Sequence, residues 1–424
     1  MQKPEPGCCR GGRVPWALVA GILFLTAGRV FAQPWTLQEA IERAIRVSPT
    51  VQREQAALAS EKGQYQESGI WPNPSVSVTA GDALGQELQT DDVRIQNVQL
   101  MQPIPIGGRI GSQEEAARQA VSAAKAGVSQ ARLSVAHETA RLYQTLGHSQ
   151  ARTAIAQREK EQAERFEEIA GKRADSGDIA PREASRLSVL AAEADAALSD
   201  AERKQAQVTE RFREQLDLPT KDAPELVTSR TPETAPALEA LTNRLKGHPA
   251  LVQARGQTEA AEARVSEASA SRIPDLNLTL GHKRFDLRGE AASAYSVGLG
   301  IEVPLYTTYG GQVASAQGRA DEARQGVRQK RLALERQLRS AHQTLTRLLE
   351  RLEQHRARIL EPSRQVLTQS EKGYRAGNVT LTELIDATQT VWRAERTEAD
   401  LLLEARTAQL KLKEAAGLAP RESM

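Results

Sequence analysis

The feature that most constrains this chain is an internal repeat of about 200 residues. Prolines and glycines that interrupt otherwise continuous patterns recur at that spacing. The matched positions are Pro49 and Pro249, Pro74 and Pro274, Gly177 and Gly377, and the segments Leu216-Asp217-Leu218-Pro219 and Ala416-Gly417-Leu418-Ala419. So many breakpoints at one spacing predict two copies of a single structural unit. We expect a first repeat at 33–217, a linker at 218–236 and a second repeat at 237–420.

Each repeat contains two short segments in which apolar and polar residues alternate. Val76 and Val78, for example, are separated by serine and followed by threonine. A period of two is typical of β-strands with one apolar and one polar face. The predicted strands cover about 74–83, 92–102, 274–283 and 294–303, with polar loops at 82–91 and 284–291. The alternation changes phase near Asn97, which predicts a β-bulge in the second strand.

Strands of about ten residues are long enough to cross a bilayer at a tilt. An ordinary antiparallel sheet that covers a helical core is the alternative interpretation. Four strands cannot close a barrel, and lipid does not tolerate an open sheet edge. A membrane-spanning sheet would therefore require an oligomer, and three chains would supply twelve strands.

The helical segments are too long for one small globular domain. Residues 109–172 contain no proline and no strand pattern, and as one helix they would extend ~96 Å. Residues 312–372 are similar, with a kink predicted at Pro362. Helices at 179–216 and 381–416 would return along them. Stripes of alanine and leucine favour close packing of these helices, as in coiled coils.

The glycine turns and the residues after them form the candidate site. Gly177 and Gly377 would end the long helices, since glycine readily adopts the left-handed conformation. Glu383 and Asp386 follow the second turn at a spacing of three, on one helix face. In a symmetric trimer they would form rings of acid that select for cations. The alternative is an exposed acid pair that the helix dipole favours.

The N-terminal segment, residues 1–32, has the pattern of a secretory signal peptide. Arg10 and Arg13 precede a short apolar run, and Ala32 offers a cleavage site. A single N-terminal anchor helix is the alternative. Cys8 and Cys9, the two cysteines of the chain, lie in this segment, so we expect no thiol chemistry in the processed protein.

Composition and motifs exclude several functions. Lys and Arg number 56 against 54 Asp and Glu, so no basic excess is available for nucleic acid. No nucleotide-binding glycine loop with lysine is visible, and no cofactor is expected. The histidines are scattered, without a spacing that indicates a metal site or a catalytic triad, so we do not expect an enzyme. Two of them, His137 and His148, lie 11 residues apart on a helix, which favours a solvated or interhelical role.

The order and duplication of these features resemble the TolC-like outer membrane factor family. The segments Trp71-Pro72-Asn73-Pro74 and Gln102-Pro103-Ile104-Pro105-Ile106-Gly107-Gly108-Arg109 carry the resemblance, together with the repeat and the glycine turns. It covers nearly all of the chain after residue 32. The Pro-Asn-Pro and Gly-Gly-Arg segments are most similar to the CzcC-like heavy-metal efflux branch.

The resemblance implies an α+β membrane protein located in the bacterial outer membrane and spanning into the periplasm. It would be a homotrimer, with a twelve-stranded β-barrel in outer membrane lipid continued by a periplasmic α-helical barrel. Its partners would be a periplasmic adaptor protein and an inner-membrane pump of the RND type. Glu383, Asp386 and Tyr374 would form the channel entrance, and Val379 stands where the family usually has arginine. The helix tips facing the adaptor would include Arg173, Gly177, Asp178, Arg375, Gly377 and Asn378.

Three functions remain open on this evidence. The first is a passive exit duct for small substrates, including divalent heavy-metal cations, driven by an inner-membrane pump. The second is the same duct serving type I protein secretion with an ATP-driven exporter. The third is a soluble periplasmic coiled-coil scaffold, which would stay in water without detergent.

Overall fold

The computed structural model describes residues 34–82, 93–219, 226–227, 232–287, 290–303 and 305–421. The predicted signal peptide, almost all of the predicted loop at 82–91 and much of the predicted linker lie outside these residues. The described chain is mostly helical and contains one small antiparallel sheet.

The two repeats contain the same elements in the same order. The first repeat contains α1 (Leu37–Val47), α2 (Pro49–Ser68), β1 (Ser75–Asp82), β2 (Val93–Ile104), α3 (Arg109–Asp175) and α4 (Pro181–Leu216). The second contains α5 (Leu238–Arg244), α6 (Pro249–Ala270), β3 (Leu276–Leu287), β4 (Glu290–Ile301), α7 (Gly310–His355), α8 (Glu361–Arg375) and α9 (Leu381–Ala415). A π turn, Arg356–Leu360, connects α7 to α8.

Capping side chains explain where α1, α2 and α6 begin. At the start of α1 the Thr36 hydroxyl accepts a bond from the Glu39 amide, and the Glu39 carboxylate accepts from the Thr36 amide. Ser48 caps α2 just before its first residue, a proline. His248 occupies the same position before α6, and its Nδ1 accepts from the amide of Ala250 at 3.1 Å. Both repeats thus have a capping side chain at this position, a serine hydroxyl in the first and a histidine ring in the second.

The long helices differ at one point. α3 is continuous over 67 residues, about 100 Å at 1.5 Å per residue. In the second repeat the π turn lies immediately before Pro362. Proline has no N–H to donate, and its ring collides with the carbonyl four residues earlier, so the regular α pattern cannot pass through it. The kink predicted at Pro362 is therefore a widened turn within a helix that continues.

The four strands form one antiparallel sheet in the order β1-β2-β3-β4. The register of β2 is continuous from Arg94 to Met101 against β1 and from Val93 to Ile104 against β3, so the predicted bulge near Asn97 is wrong. Pairing of β3 with β4 continues to Leu287 and Glu290, well into the predicted loop at 284–291. Polar residues are tolerated there because both faces of the sheet are largely exposed, so polarity did not mark the strand end.

One face of the sheet carries a row of apolar residues that crosses all four strands. Residues paired directly across strands share a face. The pairs that join Val76 to Leu100, Leu100 to Leu280, and Leu280 to Val297 therefore lie on one side. Ser77, Gln99 and their partners occupy the other side, and both side chains are exposed.

The helical core runs between the two repeats. α3 packs against α2 and α4 of its own repeat, and against α6 and α9 of the second. One cluster at α3 and α4 contains Tyr143, Leu146, Phe212 and Leu216, and a matching cluster at α7 and α9 contains Leu338, Leu345 and Leu412. Within the described ranges, no helix has a stretch both long and apolar enough to cross a bilayer.

Candidate functional site at the helix tips

Two turns with the same geometry end the long helices at one pole of the molecule. Gly177 and Gly377 adopt φ angles of 80° and 77°, which side chains with a Cβ rarely adopt. The Asp178 amide donates to the Arg173 carbonyl at 2.8 Å, and the Asn378 amide donates to the Gly373 carbonyl at 2.8 Å. These are the hydrogen bonds of Schellman motifs, which satisfy the last carbonyls of each helix.

The two turns also pack against each other. Tyr374 lies against a buried cluster that includes Leu187, Leu381 and Trp392. The Arg173 guanidinium lies over its ring, 5.1 Å from the centroid, at a distance that allows a cation–π interaction. Among the described residues the buried Tyr374 hydroxyl has no hydrogen-bond partner. Arg173 and Tyr374, predicted for different roles, therefore form one contact between the repeats.

Glu383 is exposed and serves as a helix cap. Its Oε2 accepts from the Thr380 amide at 2.8 Å and from the Thr380 hydroxyl at 2.9 Å. The Thr380 hydroxyl in turn caps the Glu383 amide, so the two residues form a capping box at the start of α9. These hydrogen bonds, the backbone one first, lower the pKa of Glu383 below its ordinary value. The carboxylate therefore stays charged at neutral pH.

Asp386 lies one turn further along α9, also exposed. It borders a groove of about 390 Å³ between α4 and α9, which Arg186 and Gln389 also line. Arg186 donates to the Thr382 hydroxyl at 3.0 Å and so links the two helices. The structure thus brings both predicted acids to one exposed end, where one is held as a cap.

The other predicted tip residues differ in accessibility. Exposed side chains or backbone are found at Gly177, Asp178, Arg375, Gly377 and Asn378, whereas Arg173 is half-buried under the contact with Tyr374. Sequence reasoning missed the bond from the Trp392 indole to the Gln162 side chain, at 2.9 Å. Tryptophan is rare in this chain, and its apolar position on α9 was the available signal.

The histidines take structural positions. His137 is buried, and its Nε2 lies 2.8 Å from the carbonyl of Leu418. His148 lies 2.8 Å from the carboxylate of Asp400 on α9. The His148 contact is interhelical, as one of the two predicted roles requires, whereas His137 contacts the chain just beyond α9. Across the described ranges, no group of three or more His, Cys, Asp or Glu residues is placed to hold a metal ion.

Comparison with known proteins decides the family. The model of a family described as outer membrane efflux protein matches residues 40–216 and again residues 240–418. The chain belongs to the outer membrane efflux protein family. The predicted resemblance is confirmed, and the duplicated match follows the internal repeat. The family is one of efflux channels of the outer membrane.

Two relatives of this efflux-family chain are metal resistance proteins. It is 24% identical over 381 residues to the cobalt-zinc-cadmium resistance protein CzcC of Cupriavidus metallidurans, covering 86% of each chain. It is 26% identical over 321 residues to the nickel-cobalt-cadmium resistance protein NccC of Alcaligenes xylosoxydans xylosoxydans, covering 72% of this chain and 71% of NccC. Among solved structures, the outer-membrane channel OprN has the same fold, with a TM-score of 0.75, 21% identity, and 90% and 89% coverage.

Proposed function

We propose that this chain is the outer membrane channel of a tripartite efflux system. Three copies would join their sheets into a twelve-stranded β-barrel, and their helices would continue the duct through the periplasm. The duct is passive: an inner-membrane pump of the RND type drives small substrates into it through a periplasmic adaptor protein.

The exposure of β4 is the observation that carries this proposal. Every residue of this strand is exposed, and its large apolar side chains, Tyr295, Val297, Leu299 and Ile301, lie on one face. Tyr295 and Val297 are 83% and 75% exposed. Large apolar side chains that are exposed together in this way are unusual on the water-facing sheet of a soluble protein. An apolar face that spans four strands fits lipid, which favours the membrane duct over a soluble scaffold.

The sheet edges support an assembly of several copies. Among the described residues, β1 and β4 have no strand partner on their outer sides. Unpaired backbone groups are costly in hydrocarbon, so β4 of one copy would pair with β1 of the next. Three copies give twelve strands, enough to enclose a lumen.

Divalent heavy-metal cations are the substrates we propose. The exposed acids Glu383 and Asp386 at the helix tips would attract cations to the entrance without holding them tightly. CzcC and NccC, which share this chain's family, are named for resistance to cobalt, zinc, nickel and cadmium. Metal export is therefore favoured over protein secretion.

The proposal is tested in two steps. The chain, purified in detergent, should have the mass of a trimer by native mass spectrometry, and planar bilayers containing it should conduct ions. A monomer that stays in buffer without detergent would contradict the channel. Deletion of the gene from its host should lower tolerance to Zn²⁺, Co²⁺ or Cd²⁺, and unchanged tolerance would contradict metal as the substrate.

A further inference from the structure

The two repeats can be matched residue by residue along their long helices. The Tyr143 hydroxyl of α3 donates to the Trp35 carbonyl at 2.8 Å, and the His342 ring of α7 bonds to the Pro236 carbonyl at 2.9 Å. Leu146 and Leu345 follow at the same distance along each helix, and both are fully buried. Up to the π turn, a position on α3 therefore corresponds to the position 199 residues later on α7.

α4 and α9 correspond at a spacing of 200. Gly177 and Gly377 precede them in the same left-handed conformation, and Phe212 and Leu412 are both fully buried near their ends. By this match Asp200 on α4 is the counterpart of Asp400 on α9.

Within one copy, α3 of the first repeat packs against α9 of the second. Three of the α3 side chains at this contact define the match. His148 lies 2.8 Å from the Asp400 carboxylate, and Arg152 lies 4.0 Å from the same group. Three turns earlier, His137 contacts the Leu418 carbonyl just beyond α9. These contacts close the helical layer between the repeats.

No helix of the described chain packs against the face of α7 that corresponds to His137, His148 and Arg152 on α3. The counterparts of His137, His148 and Arg152 are Arg336, Arg347 and Arg351. All three arginines are exposed, and none forms an ion pair with a residue that the structure describes. α7 packs against α6 and α9 of its own repeat, and within the described chain makes no comparable contact with α2 or α4. A groove of about 660 Å³ between α7 and α9 opens beside Arg336.

Opposite charge is available on α4. Asp200 is exposed, and its side chain pairs with Arg203 of the same helix, at 3.1 Å, in a solvated contact that contributes little. Inside one copy, Arg152 of α3 lies near Asp400 of α9. The counterparts of these two residues, Arg351 on α7 and Asp200 on α4, are also an arginine and an aspartate. Within one copy, however, α7 and α4 make no contact that would bring Arg351 and Asp200 together.

We propose that Arg347 and Arg351 on α7 bind Asp200 on α4 of a second copy of this chain. Arg336 would then reach the carbonyl of Leu218 in the second copy, as His137 reaches that of Leu418 in its own. Each copy has one filled contact of this kind and one open one, so the association is head to tail, and in the proposed trimer it would close as a ring. The inference rests on the proposed homotrimer and names the helices and charges that assemble it.

Cross-linking tests this pairing. In an arginine–aspartate ion pair the two side chains together keep the Cα atoms too far apart for a disulfide. A short bis-maleimide is therefore used instead of oxidation. The background carries Cys8→Ser and Cys9→Ser, which leaves no other thiol in the chain. The variant Arg351→Cys with Asp200→Cys, treated in detergent, should give covalent dimers and trimers on a denaturing gel.

The matched control is Arg152→Cys with Asp400→Cys, which should link within one copy and stay at monomer mass. If the Arg351 and Asp200 variant also stays at monomer mass while native mass spectrometry reports a trimer, the pairing is wrong and the proposed channel survives. A monomer by native mass spectrometry would overturn both.

Charge reversal gives an independent measurement that needs no reagent. Arg347→Glu with Arg351→Glu should raise the trimer dissociation constant about tenfold or more. Adding Asp200→Arg should restore association. Failure of Asp200→Arg to restore it would contradict a direct contact, because a structural defect in α7 would not be corrected from α4.

Discussion

The guanidinium of Arg396 on α9 binds the carboxylate of Glu159 on α3 through two hydrogen bonds, and so joins the two repeats at mid-height. The Glu159 side chain is only 2% exposed. Burial raises the pKa of Glu159 from its ordinary value, and the charge of Arg396 opposes that rise. The buried Glu159 carboxylate therefore depends on Arg396, which is only partly buried, and the pair fixes one contact between the repeats.

Removal of Arg396 should destabilise the contact between the repeats. We expect Arg396→Met to lower the free energy of unfolding by about 3–5 kcal/mol, because it leaves Glu159 buried without its partner. Thermal unfolding followed by helical circular dichroism measures this. Adding Glu159→Leu should recover most of the loss, since two apolar side chains need no ion pair. A double variant as unstable as the single one would show that Arg396 acts elsewhere.

The acids at the tips should control ion selectivity. Glu383→Gln with Asp386→Asn removes both negative charges, so the preference for cations in planar bilayers should fall. Glu39→Gln is the matched control, because Glu39 forms the same capping box at the start of α1, away from the tips. Equal selectivity of the double variant and the wild type would exclude these acids from the ion route.

His248 should make stability depend on pH. Its Nδ1 accepts from the Ala250 amide, so Nε2 carries the proton that is donated to the Glu414 carbonyl at 3.2 Å. Burial, aided by Lys330, lowers the pKa of His248, while the Glu414 carbonyl and carboxylate oppose it. The folded state thus binds the proton less readily than the unfolded one, and stability is complete above the unfolded pKa of about 6.5 and falls below it.

The variant His248→Ser should reduce this fall. Serine occupies the matching cap at Ser48 and does not titrate. Between about pH 7 and pH 5 the variant should lose less stability than the wild type, because serine can form the cap without binding a proton. Unfolding midpoints across that range measure the difference. Some dependence should persist through His137, whose pKa burial also lowers; identical curves would exclude a contribution from His248.

The two faces of β1 should tolerate charge differently. Val78 lies on the apolar face and Thr79, the next residue, on the polar one, and both are exposed. If the apolar face meets lipid, Val78→Arg should destabilise the inserted protein by about 2–4 kcal/mol, and Thr79→Arg by much less. Unfolding from lipid vesicles, with yield in the membrane fraction as a second readout, compares them. Equal effects would mean that neither face meets lipid.

Much of the architecture could be read from local patterns. The prolines and glycines at a common spacing set the two repeats, because each such residue restricts or frees the backbone wherever it stands. The uninterrupted run after Arg109 determined α3 almost to the residue. The strand ends were harder to predict: a polar loop was expected at 284–291, yet the backbone of β3 pairs with β4 as far as Leu287. Backbone pairing depends on the neighbouring strand, which local alternation does not report.

The sequence by itself determined the long helices, the turns at Gly177 and Gly377, and the period-two strands, since all three follow from conformational preferences within a few residues. Only the tertiary structure decided which residues meet across the repeats. Spacing alone placed Glu383 and Asp386 as equals, but Thr380 makes one of them a cap. Likewise, the sequence gives no reason to single out Arg351 among the surface arginines. Its proposed role follows only from the structure, in which its counterpart on α3, Arg152, lies beside Asp400. Such contacts depend on how helices some 200 residues apart align, and no local pattern encodes that alignment.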